Sequence, residues 1–146
     1  MSADTFRSVE IERTSVGRYV VRNARGGSMS MGTGDDGDFT PVELLLAAIG
    51  GCTAVDVDLI TSRRAEPGQF SVTVTGDKIR DETGGNRMRN LRVEFAVTFP
   101  AGADGDSARE ALPRSLRQSH DRLCTVSRTV ETGTPVEIVD TGSGAD

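Results

Sequence analysis

Apolar positions in the first thirty or so residues fall in short alternating runs. Val9 and Ile11, then Tyr19-Val20-Val21 beyond a turn at Gly17, read as the strands of a hairpin. After Gly26-Gly27, the run Ser28-Met29-Ser30-Met31 alternates with period two and predicts a third strand, and Gly32 to Asp38 reads as a polar, glycine-rich loop. The period then changes. Thr40 suits an N-cap, Pro41 suits the first helical position, and Glu43 completes a Thr-x-x-Glu capping box, which predicts a helix running to about Arg64, ahead of Pro67-Gly68. Along it Leu45, Ala48, Ile49, Cys52, Val55 and Leu59 form one stripe, while Leu44, Ala47, Gly51 and Ala54 make the other side apolar as well. A helix apolar all round needs cover on more than one side. A chain of 146 residues supplies that poorly, so a second copy of the chain is expected to pack on it.

Downstream, Phe70, Val72 and Val74 alternate with Ser71, Thr73 and Thr75, and Leu91, Val93, Phe95, Val97 and Phe99 alternate with more polar neighbours. These are two half-buried strands, with Asp81 to Asn90, including Gly84-Gly85, as the hairpin loop. Ser107-x-x-Glu110 is a second capping box, opening a helix that Pro113 kinks or restarts. Arg114 to Cys124 reads as helical and Val136-Glu137-Ile138-Val139 as a last strand. The order ββ(β)-α-ββ-α-β predicts an α+β fold with antiparallel sheets around one long buried helix. It suggests a single domain over residues 1–140 and a disordered tail over 141–146.

Composition narrows the partners. With 36% hydrophobic residues and no Trp, the core must be aliphatic and thin. The balance of 17 basic against 22 acidic residues gives a net charge of −5, and no basic patch stands out, which argues against nucleic acid or an anionic membrane. The start of the chain lacks the apolar core of a signal peptide, and the uncharged stretch Leu44 to Val55 is shorter than the roughly 20 residues a bilayer span needs. A cytoplasmic protein is expected. In that reducing compartment the two cysteines, Cys52 and Cys124, point to redox chemistry, catalysis or metal rather than to a structural disulfide.

The plain reading of Cys52 is a small core thiol on an apolar helix. The chemical reading needs a thiolate, which an apolar wall and Asp56, one turn later, both oppose. Gly50-Gly51 either breaks the helix and puts Cys52 near a fresh N-terminus, or permits close packing. Cys124 gains a task only if its sulfur meets that of Cys52. Glu43 needs no task beyond its cap, and nine residues at about 100° each set it opposite Cys52 on a straight helix. His120 lies four residues before Cys124, but two ligands do not make a zinc site; it reads as a surface residue, and no metal or cofactor is expected.

The run Thr40-Pro-Val-Glu-Leu-Leu-Leu-Ala-Ala-Ile-Gly-Gly-Cys-Thr-Ala-Val-Asp-Val57 resembles the central helix of the OsmC/Ohr superfamily, and Cys124-Thr-Val-Ser127 resembles its second cysteine motif. The order of strands and helices is similar over nearly the whole chain, and the Gly-Gly-Cys-Thr form looks more like the OsmC-like branch than the hydroperoxidase branch. The resemblance implies an intertwined homodimer and a thiol peroxidase that reduces small organic hydroperoxides in oxidative-stress defence. It implies Cys52 as peroxidatic thiol and Cys124 as resolving thiol, with a lipoyl-type dithiol or low-molecular-weight thiol as reductant. It also implies an arginine from the N-terminal strands that assists the thiolate and pairs with Glu43. Arg18 is the first choice for it, ahead of Arg13 and Arg25. The competing reading is a non-enzymatic OsmC-like protein that binds small molecules or senses redox state through its thiols. A cation beside Cys52 would separate the two.

Overall fold

The computed structural model describes residues 5–145, and the chain divides into two compact units, Met1–Ala48 and Ile49–Asp146. In the first unit β1 (Val9–Ser15), β2 (Arg18–Asn23) and β3 (Ser28–Gly32) form an antiparallel meander in the order β1-β2-β3. Gly17, at φ 70°, makes the first turn, where a side chain would be strained. Ile11 stands opposite Val21 and Val21 opposite Met29, so the alternation read from the sequence is the register of the sheet. The glycine-rich loop closes through the Gly32 N–H, which donates to the Phe39 carbonyl at 3.0 Å.

Helix α1 (Pro41–Thr61) starts as its capping box requires. The Glu43 carboxylate accepts from the Thr40 N–H at 2.9 Å, and the Thr40 hydroxyl accepts from the Glu43 N–H at 3.2 Å, so two otherwise orphaned donors are satisfied reciprocally. The helix is continuous through Gly50-Gly51. Gly50 allows close packing, and the partner is a strand: a Cβ there would lie 2.3 Å from Val74 Cγ2. Taken whole, α1 is the one helix among the described residues long and apolar enough, by length and composition, to cross a bilayer, although the uncharged stretch alone falls short. A helix in the core of a small domain has the same composition.

The second unit pairs β4 (Gln69–Arg80) with β5 (Asn86–Thr98). Both strands run further than the apolar alternation suggests, so half of the expected Asp81–Asn90 loop, from Asn86 on, is strand. The turn itself is only Asp81–Gly85, organised by the Asp81 carboxylate, which accepts from the Thr83 and Gly85 N–H groups at 3.0 and 3.2 Å. The ladder has a register shift between Thr75 and Asp77, beside Gly76. Phe70 and Phe95 stack edge to face across the strands, centroids 6.0 Å apart.

The side of α1 buried in this unit is Ile49, Gly50, Thr53, Val57 and Thr61. Val55 and Leu59, both on the expected stripe, remain 59% exposed. Thr53 and Thr61 read as polar in sequence, yet Thr61 is fully buried because its hydroxyl donates to the Val57 carbonyl at 2.9 Å. Helix α2 (Ala103–Gln118) begins four residues before the expected Ser107 cap and takes Pro113 inside it without ending. Its start is set by Gly102, at φ 112°, and by Gly105, where a Cβ would lie 1.6 Å from the Pro100 carbonyl oxygen.

The helical run expected over Arg114–Cys124 is present: α2 passes into one π-helical turn, Ser119–Leu123, which Cys124 closes through its N–H on the Ser119 carbonyl at 2.8 Å. Cys124 also caps the start of a third helix that the sequence reading lacked, α3 (Thr125–Thr132). That helix is rich in β-branched Thr and Val, which hides it from propensity. Val136–Val139 is not a strand: no strand among the described residues pairs with it, and Val136 and Ile138 are 84% and 93% exposed.

Candidate thiol site

Three elements bring two sulfurs together. Cys52 projects from the middle of α1, and the π turn swings Cys124 onto the first turn of α3. The extra residue of such a turn re-aims the backbone, and such bulges recur at functional sites. Both cysteines are free thiols, Cys52 half-buried and Cys124 with no exposed surface, and they lie near enough for each to perturb the ionisation of the other.

The start of α3 supplies donors to both. The Cys124 sulfur accepts from the Ser127 N–H at 3.4 Å and lies 3.3 Å from the Ser127 hydroxyl; the Thr53 hydroxyl also bonds to it. Cys52 meets the backbone of Val126. Burial pushes the Cys52 thiol up, its hydrogen bond to Cys124 and the charges of Cys124 and Asp56 add to this, and Val126 offsets only part. Burial also opposes ionisation of Cys124, but the hydrogen bonds of Ser127, Thr53 and Cys52 outweigh it, leaving that thiol below its ordinary value. Asp56 is itself held by the Ser119 hydroxyl at 2.8 Å.

Thr53 and Ser127 also line a cavity of about 380 Å³. Its apolar wall is Ile49 of α1, Leu91, Val93 and Phe95 of β5, Leu116 of α2 and Val130 of α3. At its polar side His120 Nε2 lies 2.9 Å from Glu131 Oε1, while Nδ1 lies 3.0 Å from Asp121 Oδ1. These two carboxylates hold the imidazole above its ordinary pKa, Asp121 first and Glu131 next. His120 is a surface residue, 60% exposed, and also part of the cavity lining.

The structure thus unites Cys52 with Cys124. Arg18 and Glu43 belong to the first unit, where Arg18 pairs with Asp36 and Asp38, and Glu43 closes the capping box. Within residues 49–146 the principal influences on Cys52 are neutral or acidic. Sequence reasoning missed Thr53 and gave Ser127 no role. Cys124-x-x-Ser127 has the spacing of an N-cap and the N3 N–H it accepts from, a signal that the expected last strand obscured.

A family profile described as OsmC-like protein matches residues 33–139, and the chain belongs to that family. It is 33% identical over 137 residues to uncharacterised proteins of Mycobacterium tuberculosis and Mycobacterium bovis, covering 91% of this chain and 96% of each relative. Among solved structures it is similar to an OsmC-like protein of unknown function from Vibrio cholerae, with a TM-score of 0.72 at 12% identity over 87% of this chain and 94% of that one. It is also similar to the organic hydroperoxide resistance protein of Bacillus subtilis, with a TM-score of 0.55 at 14% identity over 87% and 92% of the two chains. Structural likeness at such identity speaks to the fold, which is the α+β, antiparallel-sheet class expected from the sequence.

Proposed function

We propose that this protein is a cytoplasmic, homodimeric, thiol-dependent peroxidase that reduces organic hydroperoxides. The observation that carries the reading is the nearness of Cys52 to Cys124, beside an apolar cavity lined by their neighbours Thr53 and Ser127. A sulfenic acid formed on one thiol condenses with a nearby thiol, and the nearness of the two cysteines supports that closure. The cavity wall of aliphatic side chains and Phe95 suits an alkyl or aryl body better than hydrogen peroxide. Cys52, the more exposed sulfur, is the peroxidatic thiol and Cys124 the resolving one. The supporting roles of Arg18 and Glu43 rest on family likeness. The exposed Val55 and Leu59 on α1 support the homodimer, since a second copy would cover them.

The competing reading, a redox-sensing or small-molecule-binding protein without turnover, draws support from the absence of a cation among the principal influences on Cys52 within its own unit. Intact-protein mass after cumene hydroperoxide, for wild type, Cys52→Ser and Cys124→Ser, tests the chemistry. Wild type should lose two hydrogens and Cys124→Ser should gain one oxygen on Cys52, with Cys52→Ser unchanged at the same modest excess. Turnover on adding dihydrolipoamide distinguishes an enzyme from a sensor. A wild type that stays reduced defeats the peroxidase reading.

A further inference from the structure

The cavity of the second unit has a deep end and a mouth, with different chemistry at each. Thr53, 8% exposed, and half-buried Ser127 supply hydroxyls at the deep end, and the Ser127 hydroxyl lies 3.3 Å from the Cys124 sulfur, so this end adjoins the thiol site. His120 and Glu131 line the cavity too, with side chains 60% and 59% exposed, which sets them at the mouth. The rest of the wall is aliphatic apart from Phe95. A cavity of about 150 Å³ holds a benzene ring, so one of about 380 Å³ takes an arylalkyl body with a polar group at either end. The mouth accepts hydrogen bonds but has none to give. His120 Nδ1 faces Asp121 Oδ1 at 3.0 Å, and Nε2 faces Glu131 Oε1 at 2.9 Å. An imidazole between two carboxylate oxygens satisfies both only as imidazolium, with both N–H groups donating to protein. The same carboxylates, Asp121 first, raise its pKa, so the second proton is kept further toward neutral pH. Glu131 gives one oxygen to His120, and its other oxygen has no hydrogen-bond partner among the described residues. Arg128 donates to the Asp121 carbonyl at 2.9 Å and lines a separate depression with Arg122 and Thr129.

We propose that Glu131 makes this cavity selective: it admits molecules with an apolar body whose outer polar group donates hydrogen bonds, a hydroxyl or an ammonium, and turns away those that carry a carboxylate. A carboxylate at the mouth meets Glu131 as a like charge and finds the imidazole N–H groups already engaged. One pushed further in is desolvated against the apolar wall. An ammonium or hydroxyl finds the open oxygen of Glu131, a charged acceptor. As an account of substrate choice the proposal rests on the peroxidase reading. The hydroperoxide group then lies at the Thr53–Ser127 end and the far substituent at Glu131. Neutral and amine-bearing hydroperoxides are substrates, and hydroperoxides of the fatty-acid type, with their carboxylate, are poor ones.

Binding is tested on the reduced protein by isothermal titration calorimetry at neutral pH, with three probes that share one body: 4-phenylbutylamine, 4-phenylbutanol and 4-phenylbutyrate. The amine should bind about fivefold tighter than the alcohol, the scale of a half-exposed ion pair, and the carboxylate should bind weakest. In Glu131→Gln, with circular dichroism confirming the fold, amine and alcohol should bind alike and the carboxylate should recover. Nuclear Overhauser contacts from the phenyl ring should reach the methyls of Ile49, Val93 and Val130. No binding of any probe, ring contacts elsewhere, a carboxylate that binds as well as the amine, or a preference that survives Glu131→Gln overturns the proposal. Substrate choice is read separately, as the rate of thiol loss with cumene hydroperoxide and with its para-carboxylate. Wild type should react faster with the first, and Glu131→Gln should narrow the gap; equal wild-type rates overturn the selection of substrates. If the probes bind in the stated order but no hydroperoxide oxidises wild type, the peroxidase reading falls while the selective cavity stands.

Discussion

Adjacent glycines in α1 should respond to the same substitution with opposite sign. In Gly50→Ala the new methyl would lie 2.3 Å from Val74 Cγ2 and 3.4 Å from Val72 Cγ1. Carbon atoms rest at about 3.5–4.0 Å, so the first contact is more than an ångström too short. Val74 is β-branched in a strand and has little rotamer freedom with which to yield. Overpacking of this kind costs about 1–3 kcal/mol, and this site belongs at the upper end. Alanine recovers about 1 kcal/mol of helix propensity, which leaves a net loss of about 2 kcal/mol. Gly51 meets nothing within 4 Å, so Gly51→Ala keeps the propensity gain of about 1 kcal/mol. At roughly 2–4 °C per kcal/mol for a domain of this size, Gly50→Ala should lower Tm by roughly 4–8 °C and Gly51→Ala should raise it by roughly 2–4 °C. Differential scanning calorimetry with urea unfolding measures both. A Gly50→Ala protein as stable as Gly51→Ala would refute the packing of α1 on β4.

Three further outcomes are expected. Thr40→Ala should cost about 1 kcal/mol in urea unfolding, whereas Glu43→Gln should change stability little, because an amide oxygen still accepts from the Thr40 N–H. Gly105→Ala would place a methyl 1.6 Å from backbone, where no side chain can yield, and should be the most damaging alanine substitution among the three glycines, read as loss of a cooperative melt. His120 should titrate above an ordinary histidine by NMR and return toward it in Asp121→Asn and Glu131→Gln. Its folded pKa is raised, so its small stabilising contribution is present below the unfolded pKa and fades as pH rises through the folded one; exposure and salt keep it small.

Where period and cap chemistry agree, local sequence specified local structure. The β1-β2-β3 meander and the start of α1 could be read from alternation, Gly17 and Thr40-x-x-Glu43, since each depends on neighbours within a few residues. Errors gathered where distant contacts decide. The buried side of α1 includes Thr53 and Thr61, whose hydroxyls are satisfied in ways composition does not reveal. The start of α2 depends on the approach of Gly105 to Pro100 rather than on Ser107. The site was half legible. Both cysteines stand out in the sequence, and so does the need for a charge partner beside Cys52. The donors that meet Cys124 belong to a helix start that the apolar pattern of Val136–Val139 led away from. Thr53 follows Cys52 directly, yet only the fold brings it to the other sulfur, 71 residues further on in the sequence.

The most direct test of the account is a thiol count. One molar equivalent of cumene hydroperoxide should remove both thiols of the reduced chain, counted with a thiol reagent after denaturation, and dihydrolipoamide should restore both. Retention of both thiols, loss of only one, or loss only at large peroxide excess would contradict the claim that Cys52 and Cys124 work as a pair on an organic hydroperoxide.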